Sequence, residues 1–78
     1  MFKFVNKTSG SVFVNSCYLR KGESSPWHMN ANETFTCQSD SGTLIVKVGE
    51  HGIKTIMKEG KLSATFVKER IVEIYEDA

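Results

Sequence analysis

The stretch Thr43-Leu44-Ile45-Val46-Lys47-Val48 decides the fold. Apolar side chains at every second position place Leu44, Val46 and Val48 on one face of an extended chain. Turn-forming residues stand on both sides, Gln38-Ser39-Asp40-Ser41-Gly42 before it and Gly49-Glu50-His51-Gly52 after it. The pattern predicts a β-strand with one buried face.

The chain that follows this strand repeats the alternation twice. Ile53 to Lys58 and Lys61 to Val67 both have strand character, and Glu59-Gly60 forms a short turn between them. Leu62, Ala64 and Phe66 share one face of the last segment. We therefore predict a three-stranded antiparallel meander over Gly42–Val67.

Shorter strands precede the meander. Phe2 to Val5 and Val12 to Val14 flank the turn-forming sequence Thr8-Ser9-Gly10-Ser11, and Thr34 to Cys37 alternates threonine with apolar residues. Short strands spaced in this way predict an all-β domain, a small antiparallel β-sandwich or partly open barrel of about six to eight strands. No helix long enough to connect parallel strands is visible, so we expect antiparallel pairing throughout.

Residues 64–78 are ambiguous between strand and helix. A helical stripe with spacings of three and four residues fits Phe66, Val67, Ile71, Ile74, Tyr75 and Ala78. However, the run Ile71 to Tyr75 is rich in β-branched and aromatic residues, and no capping-box sequence precedes it. We predict a final strand, with a helix as the alternative.

The succession of short strand, polar turn and short strand before Leu19-Arg20-Lys21-Gly22-Glu23-Ser24 resembles immunoglobulin-like sandwiches at the level of the fold. The resemblance implies a two-sheet sandwich and carries no function. The interval between Cys17 and Cys37 is shorter than the one that the immunoglobulin disulfide requires.

Composition limits both the size and the class of the protein. Its 78 residues with 40% hydrophobic and 24% charged side chains make one small domain, residues 1–78. A net charge of +1 gives no electrostatic basis for a dedicated nucleic-acid or polybasic membrane binder. The chain has no apolar run of the ~20 residues that a transmembrane helix needs, and Met1 to Asn6 lacks the apolar length of a signal peptide. We expect a complete, cytoplasmic protein without a membrane partner.

The two cysteines, Cys17 and Cys37, are expected to be reduced and buried, as is usual for thiols in a reducing compartment. A disulfide between them is the alternative, and the sequence leaves it open. A zinc site with His28 and His51 is disfavoured, because structural zinc ligands are paired at short local spacings. We therefore predict neither a metal nor a cofactor.

No constellation of residues points to catalysis. A nucleophilic triad needs a nucleophile, a histidine and an orienting acid. His51 lies in a predicted turn, and the Gly49–Gly52 turn lacks the Lys-Ser/Thr sequel of a phosphate-binding loop. We expect a protein that is not an enzyme.

The longest stretch without strand periodicity runs from Glu23 to Asn30 and is the candidate binding site. Loops on a rigid sheet carry function disproportionately, and tryptophan and methionine are enriched at the centres of interfaces. The candidate binding residues are Trp27, His28, Met29, Arg20 and Lys21. The alternative for Trp27 is that it closes one open end of the sandwich as part of the core.

These observations favour a non-enzymatic domain that binds another protein, an inhibitor or adaptor of the free-standing kind associated with phages and mobile elements. The second face also carries apolar residues, among them Phe13 and Ile45. We expect the loop around Trp27 or the last element to cover some of them, and the alternative is an exposed interaction patch or an edge strand that pairs two copies. The alternative is a single-stranded nucleic-acid-binding β-barrel. Its stacking residues would be Phe13, Trp27, Phe35 and Tyr75, and its cations Lys3, Lys7, Arg20 and Lys21. The basic start and acidic end of the chain also predict that the terminal strands pair.

Overall fold

The computed structural model describes residues 2–26, 34–49 and 51–77. This part of the chain contains eight strands and no helix. The strands are β1 (Lys3–Asn6), β2 (Val12–Val14), β3 (Cys17–Leu19), β4 (Thr34–Ser39), β5 (Gly42–Val48), β6 (Lys54–Gly60), β7 (Leu62–Lys68) and β8 (Ile71–Glu76). The predicted all-β class and the final strand are confirmed. Nothing in these residues forms a helix able to cross a membrane.

The strands form two open sheets that pack face to face as a sandwich. One sheet has three strands in the order β1-β8-β7, and the other has five in the order β3-β2-β4-β5-β6. The alternating residues predicted to face inward supply most of the core, and Phe4 meets Phe35 across the two layers with ring centroids 4.8 Å apart. The fully buried residues include Phe4, Val12, Val14, Phe35, Leu44, Val46, Leu62, Val72 and Ile74.

The predicted meander is correct for its first two strands and wrong for the third. β5 and β6 pair antiparallel, but β7 pairs with β8 in the other sheet. The change of sheet occurs at Lys61, whose amide donates to the Ser41 carbonyl at 2.8 Å while its carbonyl accepts from the Asp77 amide at 2.8 Å. One residue therefore bonds to both sheets, and the predicted Glu59-Gly60 turn is the end of β6 followed by a corner instead of a hairpin.

The first and last strands are neighbours, as the opposite charges of the two ends predicted. Their direction is parallel, with Lys3 opposite Ile71 and Asn6 opposite Ile74, so the expectation of antiparallel pairing throughout is wrong. Parallel neighbours in a sheet are usually connected by a helical crossover. Here the connection between the two strands is the rest of the chain, which builds the second sheet on the way.

The chain after β3 runs along the outer edge of β1. Ser24 forms an isolated antiparallel bridge with Val5, and the Ser25 amide donates to the Phe4 carbonyl at 2.7 Å. The Ser25 hydroxyl also accepts from the Phe4 amide at 2.9 Å. Pro26 is exposed and lies outside the named strands, as expected for a residue without an amide proton.

Both cysteines are free, Cys37 buried and Cys17 partly buried. Both lie opposite Val14 of β2, one on each side of that strand. Neighbouring strands are ~4.8 Å apart, so two strand spacings separate the α-carbons by roughly 10 Å. A disulfide spans at most ~6.8 Å between α-carbons. The alternative of a Cys17–Cys37 bond does not fit this register.

Candidate binding surface

Three of the five residues predicted for the binding site, Trp27, His28 and Met29, lie outside the described residues and stay predictions. Arg20 and Lys21 are both exposed in the turn after β3. This turn is held to β1 by the Gly22 amide, which donates to the Asn6 carbonyl at 2.9 Å. The two cations therefore project from a fixed backbone next to the end of β3.

Two aromatic rings, those of Phe13 and Tyr18, form a pair on the outer face of the five-stranded sheet. They are direct cross-strand neighbours on β2 and β3, with ring centroids 4.9 Å apart and an interplanar angle of 60°. They remain 47% and 51% exposed, respectively. The Tyr18 hydroxyl donates to the Ser11 hydroxyl at 2.8 Å, which fixes the tyrosine ring. We call these two residues the aromatic pair.

A cleft of about 450 Å³ lies beside the aromatic pair. Its lining is Ser11, Phe13, Tyr18, Gln38, Ser39 and Asp40. The lining of this shallow depression therefore combines aromatic rings, an amide, hydroxyl groups and one carboxylate. Arg20 and Lys21 follow Tyr18 closely along the chain and belong to the same end of the sheet.

A second apolar group, Ile45 and Met57, lies on the outer face of β5 and β6. The two residues are directly opposite each other, and Met57 is 52% exposed. Thr36 of β4 stands opposite Ile45 on its other side. We call Ile45 and Met57 the aliphatic pair, and a strip of polar β4 side chains separates it from the aromatic pair.

Charges of both signs lie on and beside this outer face. Lys47 and Glu59 are exposed on β5 and β6, Asp40 lies in the cleft, and Arg20 and Lys21 are exposed in the turn after β3. Of the stacking residues considered for nucleic acid, Phe35 is fully buried, whereas Phe13 and Tyr75 are exposed. Phe35 is therefore wrong as a stacking residue.

The sequence pointed to part of this surface. Phe13 and Ile45 were recognised because their positions alternate with the core residues of their strands. Tyr18 was missed because only three residues form β3, too few to show a period. Met57 was missed because it stands next to Ile56 in a polar segment, so the sequence of β6 shows no alternation of apolar and polar residues.

A carboxylate binds the loops together at the end of the sandwich that carries the cleft. Glu76 of β8 accepts hydrogen bonds from the amide and the hydroxyl of Ser9, at 2.8 and 2.7 Å, and from the Ser41 hydroxyl. These donors favour the charged form and lower the pKa of Glu76 to about 2. The contacts join the three-stranded sheet to two loops of the other layer.

Cys37 and His51 lie in different surroundings. Burial raises the pKa of the Cys37 thiol to about 12, so it stays protonated and is a poor nucleophile. His51 is exposed in the turn before β6. No three histidine, cysteine or carboxylate side chains of residues 2–26, 34–49 and 51–77 are grouped so as to hold a metal ion.

The chain matches no family model, no curated protein and no solved structure. The candidate surface therefore rests on its geometry and chemistry alone.

Proposed function

We propose that this protein is a non-enzymatic binding domain, an inhibitor or adaptor, whose contact surface is centred on the aromatic pair. The observation that carries the proposal is the exposure of Phe13 and Tyr18 beside each other on the flat face of a sheet. A domain of this size has few apolar residues for its core, so leaving two large rings exposed to water gives up burial that would stabilise the fold.

The physical properties of the pair suit the centre of a protein interface. Tyrosine and phenylalanine present a large contact area with only two side-chain torsions to fix, and tyrosine is enriched among the residues that dominate binding energies. The Tyr18 ring is already oriented by Ser11, so less freedom is lost on binding.

The cleft beside the pair favours a basic side chain from the partner. An arginine or lysine can lie over the face of Tyr18 or Phe13 and place its charge near Asp40. A cation–π contact contributes ~0.5–2 kcal/mol depending on its desolvation. Arg20 and Lys21, from the sequence-based prediction, would then contact acidic or polar groups farther out.

Single-stranded nucleic acid is the alternative ligand, and the exposed rings are compatible with stacking. Two observations disfavour it. Binding of a phosphate backbone needs a continuous cationic groove, whereas here the cations Arg20, Lys21 and Lys47 alternate with the carboxylates of Glu59 and Asp40. The two sheets are also open, unlike the barrel that the alternative assumed.

The test is affinity capture with four versions of the chain as bait: the unchanged protein, Phe13→Ser, Tyr18→Ser and a control, Val67→Ser. Val67 is an exposed apolar residue on β7 of the other sheet, 47% exposed like Phe13. We expect the unchanged protein and Val67→Ser to retain the same partner protein, and both aromatic-pair variants to lose it. Equal retention by all four would contradict the proposal.

Two further measurements define the chemistry of the contact. Asp40→Asn should weaken capture of the same partner and reduce its dependence on salt, because one charge pair is removed. Retention on immobilised single-stranded DNA or RNA, falling steeply with salt, would instead support the nucleic-acid alternative.

Trp27 stays a predicted contact, and one substitution tests it. As a contact, Trp27→Ala should abolish capture while the melting temperature changes by only a few degrees. As a core residue, it should cost roughly 3–5 kcal/mol of stability. A destabilised variant that binds its partner with full affinity at low temperature would remove Trp27 from the contact surface.

A further inference from the structure

β6 is an edge strand of the five-stranded sheet, and no strand among the described residues pairs with its outer side. Two hydrogen bonds at the ends of the β5–β6 ladder show which residues of β6 bond to β5. The Gly49 amide donates to the Ile53 carbonyl at one end, and the Lys61 amide donates to the Ser41 carbonyl at the other. Odd-numbered residues of β6 bond to β5. The amides and carbonyls of Lys54, Ile56, Lys58 and Gly60 point away from the sheet, and no hydrogen bond from the described residues reaches them.

The other three edges are each less suited to pairing. Ser24 and Ser25 cover β1, and β3 has only three residues. A register shift between Phe66 and Lys68 disturbs β7. Irregular, covered or short edges resist strand addition, whereas β6 has seven residues and no bulge against β5.

We propose that two copies of this chain associate through β6, antiparallel, around a two-fold axis at Met57. The partner is therefore a second copy, and the two five-stranded sheets become one continuous sheet. This inference explains the aliphatic pair and does not depend on the aromatic pair, which lies at the opposite side of the sheet.

Charge selects this register over its neighbours. Residues that face each other across such an axis must have side chains on the same face, so the axis passes through a residue and not between two residues. Only the central residues Ile56, Met57 and Lys58 keep most of β6 paired. An axis at Ile56 would put Lys54 opposite Lys58 of the other copy twice, and one at Lys58 would oppose that lysine to itself. Both placements bring like charges together.

An axis at Met57 avoids these clashes and uses all seven residues of β6. Thr55 then faces Glu59, Ile56 faces Lys58, and Met57 meets its own copy. The outward-pointing groups form up to eight backbone hydrogen bonds, four pairs with two bonds each, close to the ~10 of an average interface. The aliphatic pairs of both copies join on the outer face and become covered.

Lysines on an edge usually discourage pairing, but those of β6 are directed across the sandwich. The Lys54 ammonium lies 4.6 Å from the centroid of the Phe66 ring. Lys58 forms an ion pair with Asp77 of the same chain. Both ammonium groups are thus drawn toward the chain's own three-stranded sheet and leave the backbone edge open.

Cysteine cross-linking of the full chain tests the register. In a Cys17→Ala background, Met57→Cys should give a disulfide-linked dimer under mild oxidation, because non-hydrogen-bonded partners have α-carbons ~4.5 Å apart. Thr55→Cys is the control, since residues 55 of the two copies would be roughly 14 Å apart. Cross-linking of Thr55→Cys in preference to Met57→Cys would overturn the proposed register.

Sedimentation of the unmodified protein tests the association itself. We expect a dimer that Met57→Lys converts to a folded monomer, while Val67→Lys stays dimeric. A monomer at several hundred micromolar would overturn the inference. The Phe13→Ser variant should lose its partner protein and still dimerise, so failure here is distinguishable from failure of the proposed function.

Discussion

Gly42 and Gly60 lie directly opposite each other at the last rung of the β5–β6 ladder, and neither has room for a side chain. A β-carbon on Gly42 would be 2.2 Å from the Glu59 carbonyl oxygen, and one on Gly60 would be 2.6 Å from that of Ser41. This close approach brings Lys61 to Ser41 and starts the corner between the two sheets.

Gly60→Ala should therefore destabilise the fold. The backbone of Gly60 has a φ of +91°, a conformation that L-residues adopt at a cost of ~1–3 kcal/mol, and the methyl group would also displace Ser41. Gly10→Ala is the control, because no atom lies within 4 Å of the added carbon. Urea titration should show a lower midpoint for Gly60→Ala only, and equal midpoints would contradict the corner.

Val46→Asp should unfold the domain. Val46 is fully buried on β5, between β4 and β6, and an unpaired carboxylate there has no polar partner. Lys47→Asp, the next residue along the strand, points to solvent and should keep the native fold. Dispersion in a proton–nitrogen NMR spectrum distinguishes the two, and a native-like spectrum for Val46→Asp would refute the assigned face.

The alternation of residues predicted the strands because burial on one face is a local property of each strand. Val46 and Leu62 are examples of residues whose burial follows from sequence period alone. The partner of β7 was not predictable in this way. It depends on Lys61 bonding to Ser41 and Asp77, contacts between residues far apart in the chain that leave no periodic signal.

The candidate surface was partly accessible to the same reasoning. Phe13 stood out as an apolar residue on the solvent-facing side of its strand. Its partnership with Tyr18 could not be predicted, because it requires the β2–β3 register. The sequence identified Asp40 only as a turn residue. Its position in the cleft depends on how the β4–β5 turn packs beside β2.

Stability should decrease in acid because of Glu76. Its pKa is lowered from about 4.5 to about 2 in the folded protein, so its contribution is present above pH 4.5 and is lost as the pH falls toward 2. In Glu76→Gln, the free energy of unfolding should decrease less steeply as the pH falls from 4.5 toward 2. Glu59→Gln, an exposed carboxylate on β6, should retain the slope of the unchanged protein. Identical slopes for all three would exclude Glu76 as the cause.

The two thiols should differ in reactivity. In the folded protein, alkylation should modify Cys17, which is partly exposed, well before Cys37, whose burial and raised pKa keep it inert. When the protein is unfolded without a reductant, both thiols should become accessible and react with the alkylating reagent. An intact mass lower by the two hydrogens of a disulfide, with no labelling, would contradict the register and the expected reducing compartment.

Asn6 is a buried polar residue whose hydrogen bonds organise the loops around the end of β1. Its amide nitrogen donates to the Gly10 and Leu19 carbonyls, at 2.8 and 3.1 Å. Its oxygen accepts from the amide and the hydroxyl of Thr8, at 2.9 and 2.7 Å. The side chain is fully buried and all four of its hydrogen-bonding positions are used.

Asn6→Ala should therefore cost more than the loss of its small apolar surface. It leaves the Leu19 carbonyl and the Thr8 amide without their partner, at ~1–3 kcal/mol for each buried group. Asn6→Asp should be worse, because a carboxylate oxygen would face the Gly10 and Leu19 carbonyls. Ser16→Ala is the control, because Ser16 is exposed in the turn between β2 and β3. If urea midpoints place Asn6→Ala level with Ser16→Ala, the network does not stabilise the fold.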